Sequence, residues 1–495
     1  MTAVVISALV CAFSLYLIIG FFLGRKNHSL GDLLPMTPGK QAEVRSSAEF
    51  STSTVATSIS LATVVLAFFE LAADLGLWLF WTVITTALGL IAVRLAARRI
   101  WEKLVSYKHR PTLHEFLGQE YGSERVYLIA AGCTSLGFLG AFAVELTVGT
   151  RFLAQLLTDT PIWLLISVLA LVGLIYTFYG GFRAVIVTDR IQMASIWVLL
   201  AALMIFYFIM FENGSANIGA IPESVRSFGY TNTLPAFLIG IFIINVPTFI
   251  ADMSVWQRIV ATPKPETIYK GLTTSVLFSS LSWGLFVIAA CGAFMLVDFN
   301  SPVNPLVLLI QTMSSMPGVL GSILIFVIVF GLYGAMLSTA STQLIAVSHT
   351  IYEDLVSKNR KESIAERIES SDELRLSRWI LLASAGFAIL IVAALTVAGF
   401  SIADLVFAVY GAQLGLFPPI LIALLVKKRS LHGLSRFTSV AIGLGFASGW
   451  LSALAGKIMN DGNLVFLAPA VSLTLSALIM LAGLLIKPRV PHDPS

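Results

Sequence analysis

Thirteen apolar runs, most of them about long enough to cross a bilayer core, constrain this chain more than anything else in it. They lie at roughly 3–23, 48–70, 76–97, 126–157, 161–179, 183–211, 233–262, 271–298, 318–352, 376–399, 401–426, 436–456 and 464–486. Inside hydrocarbon a backbone must satisfy its own N–H and C=O groups, and a helix does so within one segment. The expected class is therefore an all-α polytopic membrane protein. Only 12% of the 495 residues are charged, against about 25% in a soluble protein. Arg25 and Lys26 follow the first run, and no small-residue cleavage site closes it, so it reads as a retained helix and not a signal peptide.

An odd number of spans puts the termini on opposite sides, and Lys and Arg choose between them. The loops after odd-numbered spans are basic: Arg25 to Arg45, Arg94 to Arg125, Arg183, Arg258 to Lys270, Lys358 to Arg378, Lys427 to Arg436, then Lys487 and Arg489. Those after even-numbered spans hold only Arg226 and Lys457. The N-terminus is expected outside and the C-terminus in the cytoplasm, in a plasma membrane of the bacterial inner-membrane kind. The net charge of +4 then serves topology, and no nucleic-acid partner is implied. Cys11, Cys133 and Cys291 all fall in apolar runs, and the six histidines show no ligand spacing, so no disulfide framework or metal cluster is read. With no nucleophile–base pair or phosphate loop either, the chain reads as a non-enzyme.

Polar groups inside the spans carry the chemistry. Asp189 lies just inside the sixth span, where a bare charge costs several kcal/mol or more unless an ion, a proton or an opposite charge meets it. It is read as handling a cation; the alternative is pairing with Arg183, Arg190 or cytoplasmic solvent. In the ninth span Ser338, Ser341 and Thr342 share a face, with Thr339 about 100° round. Their hydroxyls are hard ligands for a small cation, or simply small residues that let helices pack. Asp252 lies about 15 Å from the end of the seventh span, near the midplane. An anion there suits an amine-bearing solute; it could instead pair with Arg258 or with hydroxyls of the second span. Glu145 and Arg151 share the fourth span, as an amine binder and a carboxylate clamp, unless Arg151 snorkels to the surface. The seventh span has Gly240 and Pro247, but the second has neither glycine nor proline from Ser47 to Leu75. It carries instead the run Ser51, Thr52, Ser53, Thr54, Thr57, Ser58 and Ser60, whose hydroxyls can satisfy freed backbone groups at a break.

Four segments in chain order resemble the sodium:solute symporter family. They are Thr112-Leu113-His114-Glu115-Phe116-Leu117 with Tyr121-Gly122-Ser123; Gly180-Gly181, Ala184, Thr188-Asp189 and Gln192; Gln257-Arg258 with Ala261 and Lys264; and Ala335 to Thr342 with Glu353-Asp354. The resemblance implies thirteen transmembrane helices around a leucine-transporter-like core of two inverted five-helix repeats. The single transporter domain, 1–495, would divide into an extra helix and loop (1–45), the core (46–428) and two extra helices (429–495). It implies a main sodium site of the Ala56, Ile59 and Ala335 carbonyls with Ser338 and Thr339. A second sodium site would join Asp189, Ser338, Ser341 and Thr342. The solute would meet Asp252, Glu145, Arg151 and Ser58. The expected activity is sodium-coupled symport of a small organic solute, weakly favouring an amino-acid-like or amine-bearing one. Alternatives are a transporter-like sensor binding the same ligands, and proton coupling. The partners expected are the solute, sodium ions and the lipid bilayer; the sequence assigns no oligomeric state.

Overall fold

The computed structural model describes residues 1–35, 42–107, 110–298, 300–357, 364–426 and 431–486. The basic loop residues Lys40, Lys358, Arg360, Lys361, Lys427, Lys428, Arg429, Lys487 and Arg489 lie outside them. Among the described residues the structure is helical throughout, without a strand. Among these residues eleven helical segments are long and apolar enough to cross a membrane.

In chain order the principal helices are α1 (Thr2–Gly24), α2 (Ser47–Ser58), α3 (Ala67–Leu75), α4 (Phe80–Val105), α5 (Leu113–Tyr121), α6 (Glu124–Leu156), α7 (Ile162–Glu212) and α8 (Leu234–Ala251). They continue with α9 (Met253–Val260), α10 (Pro265–Gly292), α11 (Leu320–Thr350), α12 (Ser371–Ala398), α13 (Ile402–Ala412), α14 (Phe417–Leu425), α15 (Ser435–Met459) and α16 (Ala468–Ile486). α7 runs 51 residues, about 77 Å, against a hydrocarbon core of about 30 Å. Its helix is interrupted at Gly181 (φ 60, ψ −159), a conformation essentially reserved for glycine. A Cβ there would also meet the Leu33 carbonyl oxygen at 2.7 Å.

Two helices break inside the bundle. α2 ends at Ser58; Ile59 (φ −102, ψ 77) leaves the helical region, Ser60 (φ −78, ψ 149) is extended, and a π-helical turn, Leu61–Leu66, leads into α3. No glycine or proline makes this break. The hydroxyls before it donate back to their own helix: Thr54 to the Phe50 carbonyl at 2.8 Å, Thr57 to that of Ser53 at 2.7 Å, Ser58 to that of Val55 at 2.8 Å. Such back-bonding competes with the helical ladder. Ser60 then caps the next segment, accepting from the Thr63 N–H at 2.9 Å. The second break separates α8 from α9 at Asp252 (φ −80, ψ 116). It falls neither at Gly240 nor at Pro247. Pro247 sits within α8, while Gly240 serves packing: a Cβ there would lie 1.9 Å from the Phe466 carbonyl oxygen.

α2 packs among α7, α10 and α11, and α1 lies along α7 and α11. Ion pairs and polar clusters tie segments that are distant in the chain. Glu49 takes Arg183 at 2.7 Å and Arg190 at 2.9 Å. Asp354 accepts from Thr112 at 2.6 Å and meets His114 Nδ1 at 2.7 Å, tying α5 to the end of α11.

Candidate ion and solute site

The two breaks face a site made of two adjoining cavities, its two halves. Thr57, Ser58, Phe249, Asp252 and Tyr410 line both of its halves. The half toward α10 holds about 720 Å³, counting open solvent, and is walled by Phe68 and Trp283, whose rings meet edge to face at 5.6 Å. The other half reaches Thr339, Thr342, Gln343 and Arg258. Among the described residues Thr248 Oγ1, Trp283 Nε1, Thr342 Oγ1 and Gln343 Oε1 are buried, border the cavity and have no protein partner. Buried polar atoms are ordinarily satisfied, so two orphans in each half call for a ligand or water.

At the first break the Ile59 N–H reaches the Val55 and Ala56 carbonyls at 3.2 and 3.3 Å, and the chain then leaves the helix. Thr339 on α11 closes on this point. Its hydroxyl donates to the Thr57 carbonyl at 3.3 Å, with the Ala335 carbonyl 3.4 Å away. Both contacts are long, which leaves that oxygen loosely held beside the backbone of the break. Ser338 turns elsewhere, donating to Asp189 Oδ1 at 2.7 Å. Ser53 of α2 donates to Asp189 Oδ2 at 2.5 Å. Ser53 in turn accepts from Arg258 Nε at 2.9 Å. Asp189, fully buried, thus joins α2, α7, α9 and α11. Arg183 and Arg190 are engaged with Glu49 instead. Ser341 points back to the Ser338 carbonyl at 3.3 Å, and Thr342 faces the cavity.

The four solute candidates separate. Ser58 and Asp252 line the cavity. Asp252 also caps α9, accepting from the Ser254 N–H at 2.6 Å. Glu145 is fully buried and holds the break of α2: it accepts from the Ser60 hydroxyl and from the Ala62 N–H. Arg151 does not join it. Six residues along a helix amount to about 9 Å and 240° of rotation. Arg151 faces a second cavity with Glu70, Gln155 and Asn304, and donates to the Leu395 carbonyl at 2.9 Å and to that of Phe400. Ser53, Ser60 and Arg258 are the positions that sequence reasoning left without these roles. Ser53 and Ser60 stood in the hydroxyl run of the second span, and Arg258 one turn beyond Ser254 on the segment that resembled the family.

A profile of the sodium:solute symporter family matches residues 48–435. The sodium/sialic acid symporter NanT of Aliivibrio fischeri is 24% identical over 285 residues, 54% of each chain. The sodium/sialic acid symporter SiaT of Proteus mirabilis is 25% identical over 217 residues, covering 40% of this chain and 42% of that one. The matched stretch thus spans about half the length of these relatives. Among solved structures, a Na+-coupled sialic acid symporter in a substrate-bound outward-open state superposes with a TM-score of 0.72, 16% identity and 98% coverage of both chains. The nucleobase-cation-symport-1 transporter Mhp1, closed around bromovinylhydantoin, gives 0.55 at 14% identity, covering 93% of this chain and 95% of that one. These structural likenesses establish the fold, and the profile match settles the lineage: the chain belongs to the sodium:solute symporter family.

Proposed function

We propose that the chain is a sodium-coupled symporter that imports a small organic solute by alternating access. One observation carries this: two helix breaks converge on adjoining cavities that share Thr57, Ser58 and Asp252, and Thr339 from a third helix bonds the last turn of α2 beside the first break. Sodium would take the carbonyls of Ala56, Ile59 and Ala335 with the hydroxyls of Ser338 and Thr339. Asp189, Ser338, Ser341 and Thr342 would supply a second ion position. Ion binding would draw α11 onto the break of α2 and complete the solute cavity, so coupling is a difference in sodium affinity between two states. In this reading Gly76 and Gly181 divide the two longest segments into separate crossings, giving thirteen, with an inverted-repeat core at 46–428, N-terminus outside and C-terminus cytoplasmic.

The cavity chemistry favours a solute bearing an amine or hydroxyls. Asp252 lines both halves, whereas Arg258 is held by Ser53, by Thr57 at 3.0 Å and by the Ser254 carbonyl at 3.1 Å. A second reading, a sialic acid, is favoured by the activity named for the relatives; its carboxylate would need Arg258 released, or neutralisation by sodium.

The test is thermal unfolding of the purified protein in sodium against potassium chloride at equal ionic strength, followed by uptake into proteoliposomes. A ligand that binds only the folded state stabilises it by mass action. A sodium-specific rise in midpoint, then sodium-driven uptake of N-acetylneuraminate or of an amine from a panel, supports the proposal and chooses between solutes. Equal midpoints in both salts across a pH series refute sodium coupling.

A further inference from the structure

Away from the transport path, α6 and α15 start side by side and leave a groove between them. Arg125 stands in the first turn of α6 and Arg436 in the first turn of α15, both exposed. Neither has an ion-pair partner among the described residues. Below them the floor is apolar, formed by Ile129, Val440, Gly443 and Leu444, and the groove holds about 1190 Å³ counting open solvent. Gly443 faces Ile129 across it: a Cβ there would lie in ordinary contact with Ile129, 3.9 Å away. The two helices run the same way, since further along Gly140 of α6 lies against Trp450 of α15. Both therefore present their N-terminal ends, with positive dipole character, at the arginine rim.

We propose that this groove seats an anionic phospholipid. The phosphate lies between Arg125 and Arg436, and an acyl chain runs along Ile129, Val440 and Leu444. A cationic rim continuous with an apolar trough matches an amphiphile; a free phosphate would use the rim and leave the trough bare. A single arginine at a helix end is ordinary snorkelling. Here two arginines from distant parts of the chain frame one groove between spans, the arrangement by which basic pockets at the anionic leaflet select lipid headgroups. The proposal rests on the membrane-spanning reading and not on symport, so it stands or falls separately.

Native mass spectrometry of the full chain, released from micelles doped with phosphatidylglycerol or phosphatidylcholine, tests it. Two arginine contacts predict roughly a 30-fold preference for phosphatidylglycerol. Arg125→Gln with Arg436→Gln should reduce that preference to within about threefold. Gly443→Leu, which fills the trough and keeps both arginines, should weaken phosphatidylglycerol binding as well. An unchanged helical circular-dichroism spectrum and unfolding midpoint in detergent show that a variant has folded. Equal retention of the two lipids by the wild type overturns the proposal, as does a full preference surviving in the double arginine variant. Glycerol 3-phosphate that competes as effectively as the whole lipid also overturns it, by making the ligand a free phosphate.

Discussion

The two broken helices break in different ways. Between α8 and α9 the interruption is largely self-contained: Pro247 precedes it, and Asp252 turns the chain and caps α9 with its own carboxylate. Between α2 and α3 it is made by partners. Hydroxyls loosen the end of α2, Glu145 of α6 holds Ser60, and Thr339 of α11 reaches the Thr57 carbonyl. A break supported from other helices changes when those helices move; one written into its own sequence does not. In the proposed function the α2 break would therefore sense the ion, and the α8 break would present a fixed carboxylate to the solute.

Removing the ion-facing partners should have the largest effect. Ser338→Ala with Thr339→Ala is expected to reduce sodium-dependent uptake roughly 100-fold and to erase the sodium-specific thermal shift, with folding intact. Wild-type sodium affinity in that variant would show that α11 does not read the break. Next comes Glu145→Ala, which leaves the Ser60 hydroxyl and the Ala62 N–H without their buried acceptor and should cost about 1–3 kcal/mol in unfolding titrations. A loss near zero would mean that the break stands without its partner.

Asp189 sharpens the comparison, because it ties α2 to α11 through Ser53 and Ser338. Asp189→Asn should lower the Hill slope for sodium while changing solute affinity less. An unchanged slope would leave Asp189 as a structural tie between helices.

This difference between the breaks also explains what could be read from the sequence. The all-helical, membrane-spanning class was legible because bilayer thickness fixes helix length, although eleven segments among the described residues stand where thirteen runs were read, and a carboxylate at Asp189 stood out because hydrocarbon makes it costly. The hydroxyl run marked α2 as breakable, but not where it breaks, since Ser60 meets an acceptor 85 residues away in sequence. Gly240 and Pro247 drew attention on α8, yet the chain turns at Asp252, and Gly240 answers to Phe466 from the last quarter of the chain. Arg151 was grouped with Glu145 by span alone; helical rotation sends it to another cavity. Arg258 escaped because its partners Ser53 and Thr57 lie some two hundred residues upstream.

The smallest effects belong to the self-contained break, and they separate its two duties. Asp252→Asn keeps an oxygen able to cap α9, since asparagine and aspartate are comparable caps. Stability should therefore stay within about 0.5 kcal/mol of wild type, while affinity for an amine-bearing solute falls. Asp252→Ala removes cap and charge together and should cost a further ~1 kcal/mol. Because the proposed sodium ligands belong to α2 and its break, α7 and α11, and none to α8 or α9, neither change should alter the sodium-specific thermal shift measured without solute. Loss of that shift in Asp252→Asn would mean that this carboxylate also serves the ion, and the division of labour between the breaks would fail. Retention of the shift with weakened solute binding would leave the ion with the break held by its neighbours and the solute with the break that holds itself.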